Sequence, residues 1–394
     1  MGDLAFLSTA LEEIKARDLY RQLRVIHGPQ SARVQVDGQR AVLLSSNNYL
    51  GLAEHPALRE AAIQALERYG CGAGASRSIS GTMESHRELE ERIARFKGCE
   101  EALVFSTGYM ANIGLLTTVV EEGDLILSDE FNHASIVDGC RLSRAEVWVY
   151  RHRDMDHLED LLKRSTHRRR LIVTDGVFSM EGDIAPLPAI RALADQYGPL
   201  VMVDDAHATG VLGEGGRGTA EHFDLMGRID IQMGTLGKAL GGFGAYVAGS
   251  RDLIDFLINR CRTFLYTTAL PPAIAAIALA ALEVVEREPQ LRKRLWENTA
   301  YFKEGLESLG FNMGMSETPI CPILIGDNAL TMEADHRLMA RGVFVQGIRP
   351  PTVPPQGSRL RAALMATHTE KDLKNALDAF QTVGEELGLI GEGR

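Results

Sequence analysis

The sequence predicts an α/β fold: a large domain on a mostly parallel, seven-stranded sheet, and a smaller C-terminal α+β domain. Three observations predict it. Short, near-continuous apolar runs alternate with helical patterns through the middle of the chain, as expected for strands covered on both faces. Polar clusters follow four of those runs, where open parallel sheets place their ligands. The pattern then changes after a periodic helix from Pro272 to Glu286 and a charged stretch reaching Lys293. With 394 residues, 45% hydrophobic and 24% charged, the chain is long enough for two cores. The expected organisation is an N-terminal helix and small hairpin over 1–45, a large domain over 46–286 and a small domain over 287–394.

Taken in order, residues 4–26 read as an amphipathic helix, with Leu7, Leu11, Ile14 and Leu19 near helical spacing. Gly28-Pro29 is its expected stop. Two β-type runs follow, at 33–36 and 41–44, joined across Asp37-Gly38, a hairpin signal. The sheet strands are expected at 102–105, 124–127, 147–150, 171–174, 200–203 and 229–233, with 246–248 as the seventh. Beyond the boundary, helices are expected at 291–309, 329–341 and 370–387, and strands at 320–325 and 360–364.

Composition excludes several classes. A net charge of −11, with Lys and Arg scattered, argues against a nucleic-acid groove. The five cysteines form no CxxC pair, so neither a zinc site nor a disulfide framework is expected, and no metal. Free thiols in odd number fit a reducing cytoplasm. The start, Met1-Gly2-Asp3-Leu4, shows no basic region ahead of an apolar core, so no signal peptide is expected. The apolar stretch 273–285 is too short to span a bilayer.

The residue with most to say is Lys238, in Thr235-Leu236-Gly237-Lys238-Ala239-Leu240-Gly241-Gly242. Small neighbours and a glycine run suggest an amine held against a flat ligand, with glycines permitting close backbone approach. A buried amine can form a Schiff base; taken alone, a Gly-Lys pair reads better as a surface turn lysine. The strand ends add weight: Asp204-Asp205-Ala206-His207, Asp175 to Gly182 with Ser179, Ser106 to Asn112, and Ser128 to His133. Each has a plainer alternative. Asp204 caps a following helix equally well, and His133 and His207 serve as core or loop histidines. Ser106-Thr107-Gly108 starts a helix with or without a ligand, although the free N–H groups there suit a phosphate on Gly108 and Tyr109. Gly70-Cys71-Gly72-Ala73-Gly74 follows a helical pattern rather than a strand, so it is not a dinucleotide fingerprint.

Across about residues 20–385 the sequence resembles the α-oxoamine synthases, fold-type I pyridoxal 5′-phosphate (PLP) transferases of the aspartate-aminotransferase-like class. The resemblance is carried by Ser46-Asn47-Asn48-Tyr49-Leu50-Gly51-Leu52, Ser106-Thr107-Gly108-Tyr109, Asp129 to His133, Gly176 to Gly182, Asp204 to His207, Thr235 to Lys238 and Arg359-Leu360-Arg361. It implies Lys238 as Schiff-base lysine and α-proton base, and Asp204 on the pyridine nitrogen. His207 and Ser179 then take the phenolic oxygen, and His133 the ring face. The phosphate falls to Gly108, Tyr109 and Thr235, with Thr267 or Thr268 reaching it from a second subunit. Asn47 and Arg361 match the positions that take the amino-acid carboxylate, and Arg21 and Thr352 those lining the acyl side. A homodimer with active sites at its interface follows.

Within the family, Gly347 to Pro354 resembles members that join L-alanine to a pimeloyl thioester, on coenzyme A or an acyl carrier protein, in biotin synthesis. Gly81 to His86 resembles members that join glycine to an acetyl group; serine with a long acyl thioester is the other alternative. A non-catalytic scaffold of the same fold is set against the presence of Lys238, Asp204 and His207 together.

Overall fold

The computed structural model describes residues 4–391; the Met1–Asp3 start lies outside them. Contacts divide the chain into two compact units, each discontinuous in sequence. The larger holds Asn47–Ser179 and Asp183–Lys293; the smaller holds the segment ending at Ser46, Met180–Gly182 and the segment from Arg294 onward. Among the described residues no helix is long and apolar enough to cross a membrane.

The larger unit is built on a seven-stranded sheet, in spatial order Glu101–Phe105, Ala245–Gly249, Ile231–Thr235, Leu200–Asp204, Arg170–Asp175, Leu125–Asp129 and Glu146–Tyr150. The last five pair in parallel; Ala245–Gly249 runs antiparallel to both neighbours. The cause is local. Residues 236–244 are too few for a crossover helix, since parallel strands need about a dozen residues or more between them. The chain therefore turns straight back, and Lys238 lies in that turn.

Alternate strand residues enter opposite cores, which is why the runs read as continuously apolar. Ile126, Leu171, Val173 and Met202 pack with Leu115, Ile136 and Leu257 on one face. Leu125, Leu127, Ile172, Val201 and Val203 pack with Leu158, Leu162 and Ile190 on the other. The last parallel strand begins two residues later than the apolar run starting at Ile229 suggests, so Thr235 is its final residue.

The smaller unit carries two sheets. One orders Ile26–His27, Arg33–Val36, Gln39–Leu43 and Val343–Phe344; the other orders Ile320–Gly326, Ser358–Ala363 and Gln346–Ile348. Its first helix departs from expectation. It spans Ala5–Ala16, not 4–26. Asp18 adopts φ +55°, its N–H donates to the Lys15 carbonyl, and the Leu19 N–H donates to the Ile14 carbonyl. That pair of bonds closes a helix C-terminus without glycine or proline.

Candidate active site

Four strand ends and one helix start converge in the larger unit on a single pocket, lined by Gly108, Tyr109, Asn112, His133, Ser135, Asp175, Ser179, Asp204, Ala206, His207, Met233, Thr235 and Lys238. Asp204 ends the central strand, buried. Its Oδ2 accepts from Asn112 Nδ2 at 2.8 Å and its Oδ1 from the Ala206 N–H at 2.9 Å. No helix follows it directly; the side chain closes a tight turn that presents His207. Asp175 lies opposite Asp204 in the strand register, and its Oδ2 accepts from the His133 N–H at 2.8 Å. Burial, then the charge of Asp204, push the Asp175 carboxyl well above the usual carboxylate range, against the His133 N–H and the Lys238 charge.

His133 caps the helix Ala134–Leu142: its Nδ1 accepts from the Ser135 N–H at 3.2 Å. Nδ1 therefore carries a lone pair, and the Ser135 hydroxyl, 2.7 Å away, donates to it. That hydroxyl in turn accepts from Asn112 Nδ2 at 2.9 Å. Asn112 thus joins Asp204 to His133 through Ser135. Burial depresses the His133 imidazole; the Asp204 charge opposes this and the Lys238 charge adds to it, leaving the ring neutral near pH 7.

The helix Gly108–Val119 begins beside this network. Thr107 caps it, its hydroxyl accepting from the Met110 N–H at 3.1 Å while its carbonyl accepts from the Ala111 N–H. The helix itself provides no acceptor for the Gly108 and Tyr109 N–H groups, which leaves an anion seat. A Cβ at Gly108 would stand 2.9 Å from Thr235 Cγ2, so only glycine lets the helix start this close to the strand end.

Lys238 is half-buried in the turn after Thr235. The turn is fixed by bonds from the Leu236 N–H to the Gly244 carbonyl and from the Gly241 N–H to the Lys238 carbonyl, both 2.9 Å. One of the glycines after it has a role within the chain itself. Gly241, at φ +65°, would place a Cβ 2.5 Å from the Ala53 nitrogen, so it admits the chain's own backbone. On another wall, His207 Nδ1 lies 2.7 Å from the buried Tyr49 hydroxyl, which is 3.4 Å from Asn47 Oδ1.

Thr267 and Thr268 line a separate cavity with Arg77, Ser106 and Phe264. Arg21 and Thr352 line one cavity of the smaller unit together with the cations Lys15, Arg24 and Arg349 and the carboxylates Asp18, Asp37 and Glu333. Arg361 is buried in the Ser358–Ala363 strand. Sequence reading passed over Asn112, Ser135, Asp175, Tyr49 and Arg349. Asp175 and Asn112 stood at strand ends already marked as polar; nothing in the local sequence marked the partners they find.

The pocket's groups fit a phosphorylated aromatic aldehyde: an anion seat at the helix start, an amine for the aldehyde carbon, and a buried carboxylate with both oxygens engaged for a ring nitrogen. The aminotransferase class I and II family model matches residues 39–380. The chain belongs to that family. Within aminotransferase class I and II it sits among the α-oxoamine synthases. It is 56% identical to the 8-amino-7-oxononanoate synthase of Geobacter sulfurreducens, over 96% of this chain and 98% of that one. Among solved structures it is similar to serine palmitoyltransferase from S. paucimobilis with bound PLP–myriocin aldimine, with TM-score 0.94 and 32% identity, over 99% of this chain and all of that one. It is also similar to 8-amino-7-oxononanoate synthase from Francisella tularensis, with TM-score 0.77 and 29% identity, over 88% of this chain and 98% of that one.

Proposed function

We propose that the chain is a PLP-dependent acyltransferase that condenses L-alanine with a pimeloyl thioester, releasing CO2 and free thiol and giving 8-amino-7-oxononanoate for biotin synthesis. The observation that carries this is 56% identity to a curated 8-amino-7-oxononanoate synthase across nearly the full length of both chains. The higher TM-score to serine palmitoyltransferase points the other way, towards serine and a long acyl chain. Identity weighs more here. A backbone is shared by enzymes of one family whatever they act on, whereas substrate choice lives in side chains, and those agree far better with the synthase.

When bound, PLP supplies an electrophilic carbon for an amine and a ring that accepts the electron pair left by a departing proton. The residues act around it. The Gly108 and Tyr109 N–H groups and the Thr235 hydroxyl hold the phosphate. Asp204, steadied by Asn112, keeps the ring nitrogen protonated. His207 and Ser179 donate to the phenolic oxygen, and His133 packs its neutral ring on the flat face. Lys238 anchors the aldehyde carbon, then serves as the base that takes the alanine α-proton and returns one to the product. Asn47 and the Arg361 guanidinium hold the alanine carboxylate, a planar anion suited to a forked donor. Arg21 and Thr352 line the acyl side, with Arg349 in the same cavity. The active form is a cytoplasmic homodimer in which Thr267 or Thr268 of one subunit completes the phosphate seat of the other.

The test is a thiol-release assay over alanine, glycine and serine against pimeloyl, acetyl and palmitoyl thioesters, on coenzyme A and on acyl carrier protein. Alanine with the pimeloyl donor should lead every other pair by roughly 100-fold in kcat/KM, or about 2.7 kcal/mol. A lead for serine with the palmitoyl donor, or glycine with the acetyl donor, would transfer the chain to the corresponding relative. Lys238→Ala should abolish turnover and leave no cofactor attached after borohydride treatment and denaturation; retained turnover would remove Lys238 from the chemistry.

A further inference from the structure

His152 lies just beyond the Glu146–Tyr150 strand, outside the pocket, and joins two of the loops that form it. Its Nδ1 is 2.9 Å from Asp129 Oδ1 and its Nε2 is 2.8 Å from Asp183 Oδ2. Asp129 starts the loop that ends in His133, and its Oδ1 also accepts from the Phe131 N–H at 2.9 Å. Asp183 closes the loop that carries Ser179: its carbonyl accepts from the Phe178 N–H at 3.1 Å, beside a bridge between Val177 and Ile184. The same loops clasp the imidazole ring. Phe131 stacks on it at 4.5 Å, and Phe178 meets it edge-on at 4.4 Å.

We propose that His152 is a positioning residue whose two ring N–H groups tie the His133 loop to the Ser179 loop, so that two cofactor-facing side chains are held as one unit. The proposal deepens the PLP reading above and rests on it for its effect on the cofactor, but not for the tie itself.

An imidazole can donate from both nitrogens only as the cation. Burial alone would depress the ring, but hydrogen bonds and charge from Asp129 and Asp183 outweigh it and raise its pKa to about 9. The other charged groups nearby are Arg153, whose guanidinium donates to Asp183 at 3.0 Å, and Glu130, whose Oε1 accepts from the His152 backbone N–H at 2.8 Å. Tyr150 and Asp175 lie behind Asp129. The tie is therefore complete at neutral pH and loses one donor as pH rises through about 9, when a lone pair comes to face a carboxylate.

Three measurements test this. In the apoprotein, exchange of the His152 ring C2 proton, read by mass spectrometry, should titrate near pH 9; a midpoint at an ordinary histidine value of about 6.5 overturns the proposal. In His152→Gln apoprotein, backbone hydrogen exchange over 129–135 and over 176–184 should both speed up by roughly 10-fold. Loosening of one loop alone, or of neither, overturns it. His152→Phe keeps the ring between Phe131 and Phe178 without donors, and should loosen both loops as well; wild-type protection in that variant would assign the effect to packing. If neither variant folds, wild-type exchange at pH 8 and pH 10, corrected for intrinsic rates, decides: both loops must loosen together. With PLP, the dissociation constant of His152→Gln should rise by about 10-fold at pH 7.5, and the difference from wild type should shrink above pH 9. Wild-type protein that binds no PLP would sink the cofactor reading while the exchange results still decide the tie.

Discussion

Asp175 stands directly opposite Asp204 on the neighbouring parallel strand, and the two buried carboxylates differ in what surrounds them. Burial and the Asp204 charge both penalise ionisation of Asp175 and push its carboxyl well above the usual carboxylate range. Asp204 is the member left to meet a protonated ring nitrogen. An amide mimics a protonated acid, so Asp175→Asn should alter PLP affinity by no more than about threefold. Asp204→Asn should weaken it by roughly 10- to 100-fold, the scale of a lost charge-assisted hydrogen bond. Deuterium exchange at the alanine α-carbon should cease only in Asp204→Asn. Equal damage from both substitutions would show that the pair shares its charge.

Tyr49→Phe removes the buried hydroxyl that lies 2.7 Å from His207 Nδ1 and, more weakly, 3.4 Å from Asn47 Oδ1. Freeing the imidazole from that bond costs about 1–3 kcal/mol of positioning. Turnover should fall about 10-fold with the melting temperature within about 2 °C of wild type, measured by steady-state kinetics beside calorimetry. Unchanged kcat would mean that His207 is oriented by its other neighbours.

Lys97 and Asp205 form an ion pair with side-chain exposures of 0% and 1%, at 2.9 Å. Asp205 also accepts from the Thr219 hydroxyl at 2.6 Å, and Lys97 from its side donates to the Arg217 carbonyl. Asp205 and the other neighbours outweigh the burial that disfavours the ammonium, and keep its pKa raised. Lys97→Met strands a buried carboxylate and should lower the unfolding free energy by about 3–5 kcal/mol in urea. Adding Asp205→Asn should recover part of that loss. A double variant worse than Lys97→Met alone would contradict the pairing.

His368 is buried and neutral in the smaller unit: its Nδ1 accepts from the Met365 N–H at 3.0 Å and its Nε2–H donates to the Leu43 carbonyl at 3.0 Å. Burial lowers its pKa to about 4, with the Leu43 bond and the Asp372 charge opposing. The folded value lies below the unfolded one of about 6.5. Its contribution is therefore present above pH 6.5 and is lost as pH falls towards 4, amounting to roughly 3 kcal/mol. Urea midpoints measured from pH 7 to pH 4 should fall, and fall less steeply in His368→Gln.

The strands were legible because each is short, apolar on both faces and bounded by turn residues; their ends then marked where polar groups gather, Lys238 among them. The first helix was misjudged because its stop is a left-handed aspartate, a residue that signals nothing by itself. Asn112 and Tyr49 stood in segments already marked, but what they and His152 bond to was invisible for a different reason. Their partners lie 92, 158 and up to 31 positions away, and no periodicity records a bond between side chains so far apart. The turn holding Lys238 was visible as composition, yet one of its glycines, Gly241, makes room for Ala53 and Leu52.

The Gln39–Leu43 strand pairs in parallel with Val343–Phe344, and His368 donates to Leu43. The earliest part of the smaller unit thus waits for some of the last. On the ribosome, the hairpin at 33–43 emerges with an open edge and no partner for about 300 residues, while the seven-stranded sheet is already free to form. Closing so long a loop is slow more than it is costly. Truncation beyond residue 340 should consequently yield a chain whose large sheet folds and whose first 46 residues stay sticky, a natural client for chaperones during synthesis.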